Sequence, residues 1–259
     1  MLLFTDVNDI PLIIQPCGLT IGSFDGVHLG HQALLAHLRS KLPPNGLLAV
    51  FTFSNHPSHL FTPHAPVPQI CPPLQKAKLL NHYGADIVML APFTPEFSAT
   101  PFDQFLHLLK QKLSFSHLML GIGATFGARK EGDETRVRSL SSQLNFEVEY
   151  LPKFKLHDIP ISSGRVRAAI SQGAFHEAQT YLGRPYSLLC RLSIEDGRAS
   201  FHGMGLCLPP EGIYPVRIKT SSGEHLARAQ VLPKESKILL ELLRKNIPLT
   251  QEETEVIFT

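Results

Sequence analysis

The sequence predicts an α/β fold with a parallel sheet, followed by a small β-barrel-like domain. Two observations predict the first part: short apolar runs recur along residues 1–186, and stretches with apolar residues at helical spacing separate them. Steady alternation of strands and helices favours a parallel sheet with right-handed crossovers and helices on both faces. A third observation predicts the second part, because residues 187–259 contain short alternating runs separated by Gly, Pro and Ser turns.

The composition describes a globular chain and disfavours several classes of protein. Hydrophobic residues make up 43% and charged residues 18% of the 259 residues, and the formal charge is +2. No block of lysine and arginine suggests nucleic-acid binding. Residues 1–15 hold Asp6 and Asp9 inside an apolar pattern, unlike a signal peptide, and no apolar run is long enough to span a membrane. We therefore expect a cytoplasmic protein without nucleic-acid or membrane partners, and the oligomeric state stays open.

The four cysteines are far apart in the sequence and lack the paired spacing of zinc ligands. They are Cys17, Cys71, Cys190 and Cys207. We expect reduced thiols that pack as small hydrophobes.

A glycine-rich turn joins the first confidently predicted strand to a helix. Residues 19–21 are apolar, and residues 22–31 read Gly-Ser-Phe-Asp-Gly-Val-His-Leu-Gly-His. Glycine permits close backbone approach and unusual torsions, and the start of a helix offers free N–H groups and the positive end of a dipole. With His28 and His31 beside it, the turn predicts a site for nucleotide phosphates. The alternative is a structural turn whose histidines only cap the helix.

The other elements follow in chain order. A continuous apolar run at residues 47–53 predicts a strand buried on both faces. His56 comes after its carboxyl end, where ligands collect in open α/β sheets. Proline and polar residues at 61–73 predict a loop or a mobile flap. The remaining predictions are helices at 75–83, 101–113 and 173–182, and strands at 87–90, 117–122, 146–151, 190–194, 213–218 and 255–258.

The turn at residues 22–31 resembles the signature of the HxGH nucleotidyltransferases, in the form found in bacterial bifunctional riboflavin kinase/FMN adenylyltransferases (FAD synthetases). Residues 121–133, a glycine-rich loop ending in Gly-Asp, and residues 161–167, Ile-Ser-Ser-Gly-Arg-Val-Arg, resemble two further motifs of this family. Leu-Gly-Arg-Pro-Tyr at 182–186 resembles the phrase that closes its first domain. The resemblance implies a Rossmann-like nucleotidyltransferase domain, the FMN adenylyltransferase, at 1–186, and a shortened riboflavin-kinase-like β domain at 187–259.

The resemblance also implies roles for individual residues. The catalytic residues would be His28, His31 and Arg165, with the two imidazoles at the α-phosphate. Nucleotide-binding residues would be Gly22, Phe24, Asp25, Gly26, Gly30, Ser162, Ser163 and Arg167. Residues on the side of the acceptor, FMN, would be His56, Phe126 and Asp133. We expect Mg²⁺ to bridge phosphate oxygens of the substrates ATP and FMN rather than to occupy a metal site of the protein.

Departures from the family pattern keep several functions open. Gly123 and Ala124 stand where the family has an acid or amide and an aromatic residue, and Gly164 replaces a threonine. The family's kinase signature, a glycine-rich run into Pro-Thr-Ala-Asn, is missing, and only residues 201–205 stand nearby. The resemblance therefore implies an FAD synthase that transfers AMP from ATP to FMN, with riboflavin kinase activity reduced or lost. The alternatives are a bifunctional enzyme that still phosphorylates riboflavin, a nucleotidyltransferase with another phosphate acceptor, and a non-catalytic flavin or nucleotide binder.

Overall fold

Contacts in the computed structural model divide the chain into two compact units. The structure describes residues 1–195, 198–221, 223–243 and 253–259. The first unit comprises Met1–Pro66 and Ala77–Pro160, and the second comprises Val67–Lys76 and Ile161–Thr259. Residues 161–186 thus pack with the second unit. The predicted domain boundary at residue 186 follows from the family resemblance, whereas the two units are defined by contacts. That boundary stays a prediction.

A six-stranded parallel sheet forms the centre of the first unit. Its strands are β1 (Leu2–Phe4), β2 (Cys17–Ile21), β3 (Leu47–Phe53), β4 (Ile87–Ala91), β5 (His117–Gly121) and β6 (Glu147–Leu151). They lie in the order β1-β4-β3-β2-β5-β6, and neighbouring strands pair in parallel. The strand order reverses between β2 and β5. In open α/β sheets, ligands bind at the carboxyl ends of the strands beside such a reversal.

Helices cover both faces of this sheet, as predicted. They are α1 (Leu29–Ser40), α2 (Ser58–Phe61), α3 (Pro73–His82), α4 (Pro95–Ser98), α5 (Phe102–Leu113) and α6 (Glu134–Leu144). One core contains Leu38 of α1 and Leu80 of α3, and the other contains Leu109 of α5 and Val137 of α6. Each of these side chains is fully buried, which stabilises the fold by about 1.5–3 kcal/mol per side chain.

The predicted strands and helices of the first unit are confirmed, with bounds that shift by a residue or two. The helix predicted at 75–83 is α3, and the strand at 47–53 is β3, buried along its middle. Between β4 and α5 the chain also forms the single turn α4. Sequence analysis missed the edge strand β1, the helix α6 and a small hairpin of β7 (Lys155–Leu156) and β8 (Ile159–Pro160). It missed α6 because most of its side chains are polar and only its buried face is apolar.

The second unit contains two helices and an antiparallel sheet of seven strands. The helices are α7 (Ser163–Ser171) and α8 (Phe175–Leu182), and the strands are β9 (Ser187–Arg191), β10 (Ser193–Glu195), β11 (Arg198–His202), β12 (Gly212–Thr220), β13 (Gly223–Leu232), β14 (Lys237–Leu242) and β15 (Glu253–Phe258). Their order is β10-β11-β14-β13-β12-β15-β9, in a curled sheet that confirms the predicted barrel-like domain. The strand predicted at 190–194 is wrong. The chain changes partner at Leu192, since β9 pairs with β15 whereas β10 pairs with β11.

One segment of the second unit comes from the first half of the chain. Within Val67–Lys76, the buried side-chain amide of Gln75 donates to the carbonyl of Ser187 at 3.0 Å and accepts from the N–H of Leu189 at 2.9 Å. The segment thereby joins the start of β9.

None of the helices in the described ranges is long and apolar enough to cross a membrane.

Candidate functional site

The turn after β2 is buried and its backbone is unusual. The φ angles of Phe24, Gly26 and Val27 are 46°, 75° and 42°. Glycine adopts this left-handed region readily, but a β-branched residue such as Val27 seldom does. Asp25 is only 2% exposed. The N–H of Gly22 donates to the carbonyl of Phe51 on β3, so a hydrogen bond attaches the start of the turn to the sheet. Strained backbone of this kind persists where the surrounding structure fixes it.

Two imidazole rings stack at the start of α1. His28 is the residue before the helix, and its ring centroid lies 3.6 Å from that of His31, with 15° between the ring planes. Phe24 packs against the His31 ring with a centroid distance of 5.0 Å. His28 is 6% exposed, and His31 is half-buried. The positive end of the helix dipole favours an anion at this point, so both imidazoles lie where phosphate would bind.

Two hydrogen-bonding residues around the turn escaped the sequence analysis. The side-chain amide of Gln32 donates to the carbonyl of Val27, and the hydroxyl of Thr52 donates to the carbonyl of Ser23, each at 2.9 Å. Thr52 is a polar residue inside the apolar run of β3, and it is fully buried. A buried hydroxyl in such a run requires a partner, and that signal could have identified it.

On the predicted acceptor side, His56 lies in the loop after β3. Its Nδ1 accepts a hydrogen bond from the N–H of Ser58 at 3.2 Å and lies 2.8 Å from the hydroxyl of the same residue. In the neutral ring, the proton is therefore assigned to Nε2. The preceding residue, Asn55, exchanges two hydrogen bonds with the backbone of Phe93, which joins this loop to the one after β4.

Phe126 lies within the loop between β5 and α6, and Asp133 is the last residue of that loop. The Phe126 ring packs edge-on against Phe105 with a centroid distance of 6.1 Å. The Oδ1 atom of Asp133 accepts a hydrogen bond from the N–H of Arg136 at 2.9 Å and caps α6. Asp133 therefore has a structural role, and its contact with the acceptor stays a prediction.

Gly123 and Ala124, which differ from the pattern of the resembled family, lie in the same loop. Gly123 has a φ of 81°, and a Cβ atom added to it would meet nothing within 4 Å. Ala124 is half-buried, and its N–H donates to the carbonyl of Gly121 at 2.9 Å. The loop thus leaves open space at Gly123, where the resembled family carries a larger side chain.

The predicted phosphate-binding residues Ser162, Ser163 and Arg165 lie at the start of α7. The hydroxyl of Ser162 accepts a hydrogen bond from the N–H of Arg165 at 3.3 Å and caps the helix. Arg165 is exposed, and its side chain lies beside Tyr181. The hydrogen bond from that tyrosine to Glu177 raises its pKa, and Arg165 acts in the opposite direction.

Arg167 lies two residues further along α7. Its Nε donates to the carbonyl of Pro68 at 2.9 Å, so this side chain supports the segment Val67–Lys76. The four predicted residues of α7 and its cap belong to the second unit, whereas the other predicted site residues belong to the first. The structure brings together His28, His31, Phe24 and Gly30; convergence of Arg165 with the histidines stays a prediction.

All four cysteines are free thiols, and Cys17, Cys71 and Cys207 are buried. Burial raises the pKa of Cys17 and of Cys190 to about 12. These two thiols therefore stay protonated at neutral pH and pack as small apolar groups. In the part of the chain that the structure describes, no three His, Cys, Asp or Glu residues cluster as a metal-binding set.

Comparisons with known proteins bear on both units. Residues 11–165 match the family model described as FAD synthetase. The bifunctional riboflavin kinase/FMN adenylyltransferase of Haemophilus influenzae is 30% identical over 234 residues, which cover 86% of this chain and 76% of that protein. The FAD synthetase of Listeria monocytogenes is 31% identical over 169 residues, which cover 65% of this chain and 69% of that protein.

Among solved structures, the crystal structure of a macrolide-efflux protein from Streptococcus pneumoniae has a similar fold. The TM-score is 0.82 at 22% identity, over 99% of this chain and 88% of that chain. At this identity the likeness concerns the fold alone. The family match, in contrast, spans more than half of the chain and contains the turn with the stacked imidazoles. The chain belongs to the FAD synthetase family.

Proposed function

We propose that this chain transfers the adenylyl group of ATP to the phosphate of FMN at the carboxyl edge of its parallel sheet. A phosphate oxygen of FMN forms a bond to the α-phosphorus, the bond to the β-phosphate oxygen breaks, and FAD and pyrophosphate are released. Membership of the FAD synthetase family assigns the FMN adenylyltransferase reaction. The observation that carries the site assignment is the stacked pair His28 and His31, at the start of α1 beside the reversal of strand order.

Positioning and charge stabilisation do most of the work in such a transfer. Negative charge grows on the oxygens around the α-phosphorus as the fifth bond forms. His28 and His31 would contact these oxygens and stabilise the charge in the transition state. His28 is nearly buried, and electrostatic interactions are stronger away from bulk water. Both rings together therefore suit a reaction that concentrates negative charge on the oxygens of one phosphate.

The start of α7 supplies groups of the kind that bind a polyphosphate. Ser162 and Ser163 carry hydroxyls at the N-terminal end of α7, and Arg165 is exposed. We assign these residues, with Arg167, to the triphosphate and the leaving pyrophosphate. Gly22, Phe24, Asp25, Gly26 and Gly30 would shape the turn around the nucleotide.

On the acceptor side, the Nε2–H of His56 is a donor suited to a phosphate oxygen. The half-buried Phe126 offers an aromatic surface, and Asp133 lies at the far end of the same loop. We assign these three residues to FMN. Mg²⁺ would neutralise phosphate charge when bound. Because the described residues offer no cluster of three ligands, the ion fits this chain only if the substrates supply most of its oxygens.

Riboflavin kinase activity is the second candidate function. The aligned part of the Haemophilus influenzae relative covers 86% of this chain, which is more than residues 1–186 contain, so it includes part of residues 187–259. That relative is named as bifunctional. A cytoplasmic location stays a prediction.

One product analysis tests both functions. The purified chain is incubated with Mg²⁺, ATP and either FMN or riboflavin, and the products are identified by mass spectrometry. We expect FAD and pyrophosphate from FMN, and little or no FMN from riboflavin. Parallel reactions with phosphopantetheine, nicotinamide mononucleotide or glycerol phosphate, each with ATP or CTP, identify a different acceptor. Adenylyl transfer to one of these, without FAD, would overturn the choice of FMN, and no transfer to any acceptor would indicate a binding protein.

A further inference from the structure

We propose that Gln32 and Thr52 are positioning residues that hold the stacked imidazoles of His28 and His31 by fixing the strained turn from both ends. The inference rests on the proposed role of the two histidines in adenylyl transfer. Neither residue needs to touch a substrate. What they hold is the backbone from Ser23 to His28.

Gln32 binds the last part of the turn with two groups. Its side-chain amide donates to the carbonyl of Val27 at 2.9 Å, and its own N–H donates to the carbonyl of His28 at 3.1 Å. The N–H of His31 donates to the same His28 carbonyl at 2.8 Å. Two successive peptide carbonyls, directly before and after the Cα of His28, are therefore fixed by the first turn of α1.

Val27 explains why the turn needs this support. It is β-branched, it is completely buried, and its φ is 42°, a conformation such residues seldom adopt. If the carbonyl of Val27 lost the hydrogen bond from the Gln32 amide, the backbone would relax toward negative φ. That rotation would turn the Cα–Cβ bond of His28 and separate its ring from that of His31.

Thr52 holds the opposite end. Its hydroxyl, completely buried on β3, donates to the carbonyl of Ser23 at 2.9 Å. One residue earlier, the carbonyl of Phe51 accepts from the N–H of Gly22 at 3.0 Å. The turn is thus attached to a central strand where it begins and to α1 where it ends, and small displacements of catalytic groups reduce rates strongly.

The test compares Gln32→Met and Thr52→Val with the unchanged chain. Methionine keeps the length of glutamine without its donor, and valine keeps the shape of threonine without its hydroxyl. Steady-state kinetics with ATP and FMN gives kcat and KM. The ¹H–¹³C spectrum of the imidazoles reports the stacking of the two rings at fixed pH, with peaks assigned by His28→Ala and His31→Ala.

We expect Gln32→Met to lower kcat about tenfold or more, with KM for ATP changed less than about threefold, and to shift the imidazole peaks of His28 and His31. Thr52→Val should lower kcat and shift the same imidazole peaks. If Gln32→Met does not fold, Thr52→Val alone tests the proposal. Gln111→Met and Thr135→Val, on exposed positions of α5 and α6, are matched controls that should change neither readout.

This design distinguishes a failure of the positioning role from a failure of the proposed function. If both positioning variants retain kcat within about twofold and the imidazole peaks of the unchanged chain, while His31→Ala is inactive, the positioning role is wrong and the proposed function stands. If His31→Ala also retains full turnover, the proposed role of the histidines is wrong, and the positioning role falls with it.

Discussion

A Cβ atom placed on Gly30 would lie 3.2 Å from both Cε1 and Nδ1 of the His28 ring. This is closer than side chains normally approach, so the glycine leaves the room in which His28 stacks on His31. Phe154 limits the other side, 3.5 Å from the same point. The glycine between the two histidines thus serves the packing of the rings, since its own backbone lies in the helix α1.

Gly30→Ala should therefore damage activity more than stability. Alanine favours the helix by up to about 1 kcal/mol, which offsets part of the crowding. We expect kcat to fall on the order of tenfold through displacement of the His28 ring, with the free energy of unfolding changed by less than about 1 kcal/mol. Gly212→Ala is the control, because its Cβ would lie at an ordinary 3.4 Å from Tyr214. A large loss of stability with unchanged kcat would contradict this expectation.

His31→Ala should slow turnover by on the order of a hundredfold or more, because this ring would stabilise negative charge mainly in the transition state. His37→Ala provides a matched control on the same helix. His37 is half-buried and pairs with Glu149 at 2.9 Å, an exposed contact that contributes less than about 1 kcal/mol to stability. Steady-state kinetics should show nearly unchanged turnover in this control. Equal kcat in both variants would remove His31 from the mechanism.

Asp133 can be tested as a helix cap and as an acceptor-binding residue with two substitutions. Asp133→Ala removes the acceptor of the Arg136 N–H and should lower the free energy of unfolding by about 1 kcal/mol. Asp133→Asn keeps the cap, so we expect its stability to stay within a few tenths of a kcal/mol. Urea denaturation measures both. A rise in KM for FMN in the stable Asn variant would support the predicted acceptor contact, and equal loss of stability in both variants would contradict capping.

Alkaline pH should destabilise the fold through the buried thiol of Cys17. Its pKa is raised from 9.0 to about 12, mainly by desolvation. Above the lower value, the unfolded chain loses this proton while the folded chain keeps it. Stability is therefore intact below about pH 9 and falls as the pH rises toward 12, by up to about 1.4 kcal/mol per pH unit for this group.

Cys17→Ala should reduce the slope of unfolding free energy against pH between about pH 9 and 11. Urea titrations at several fixed pH values give this slope. At neutral pH the same variant shows only the loss of packing, which serves as the internal control. An unchanged slope in Cys17→Ala would contradict the assignment of this titration.

Local patterns predicted most of the first unit because its strands are short apolar runs and its helices have one apolar face. The run at 47–53 became β3 with the same bounds, and the glycine-rich turn leads into α1 at Leu29. The strand order was not accessible, since period and composition do not say which strand lies beside which. The apolar pattern at residues 1–15 did not identify the three-residue β1, which pairs with β4 far along the chain.

The candidate site shows the same limit. The motif identified His28 and His31, but not that their rings stack, which depends on the strained backbone at Val27. Gln32 and Thr52 are ordinary polar residues in sequence, and only their hydrogen bonds across the turn reveal what they hold. Arg167 donates to the carbonyl of Pro68, a contact that no spacing rule anticipates, and its role at the phosphates stays a prediction.

The side-chain amide of Gln75 joins a segment from the first half of the chain to the second unit. A fragment that stops after residue 186 would keep Gln75 and lose Ser187 and Leu189, which satisfy its buried polar atoms. A fragment that starts at residue 161 would keep those two and lose the glutamine. Neither cut yields an intact second unit, so a shortened chain would need substitutions that satisfy or remove these buried polar groups.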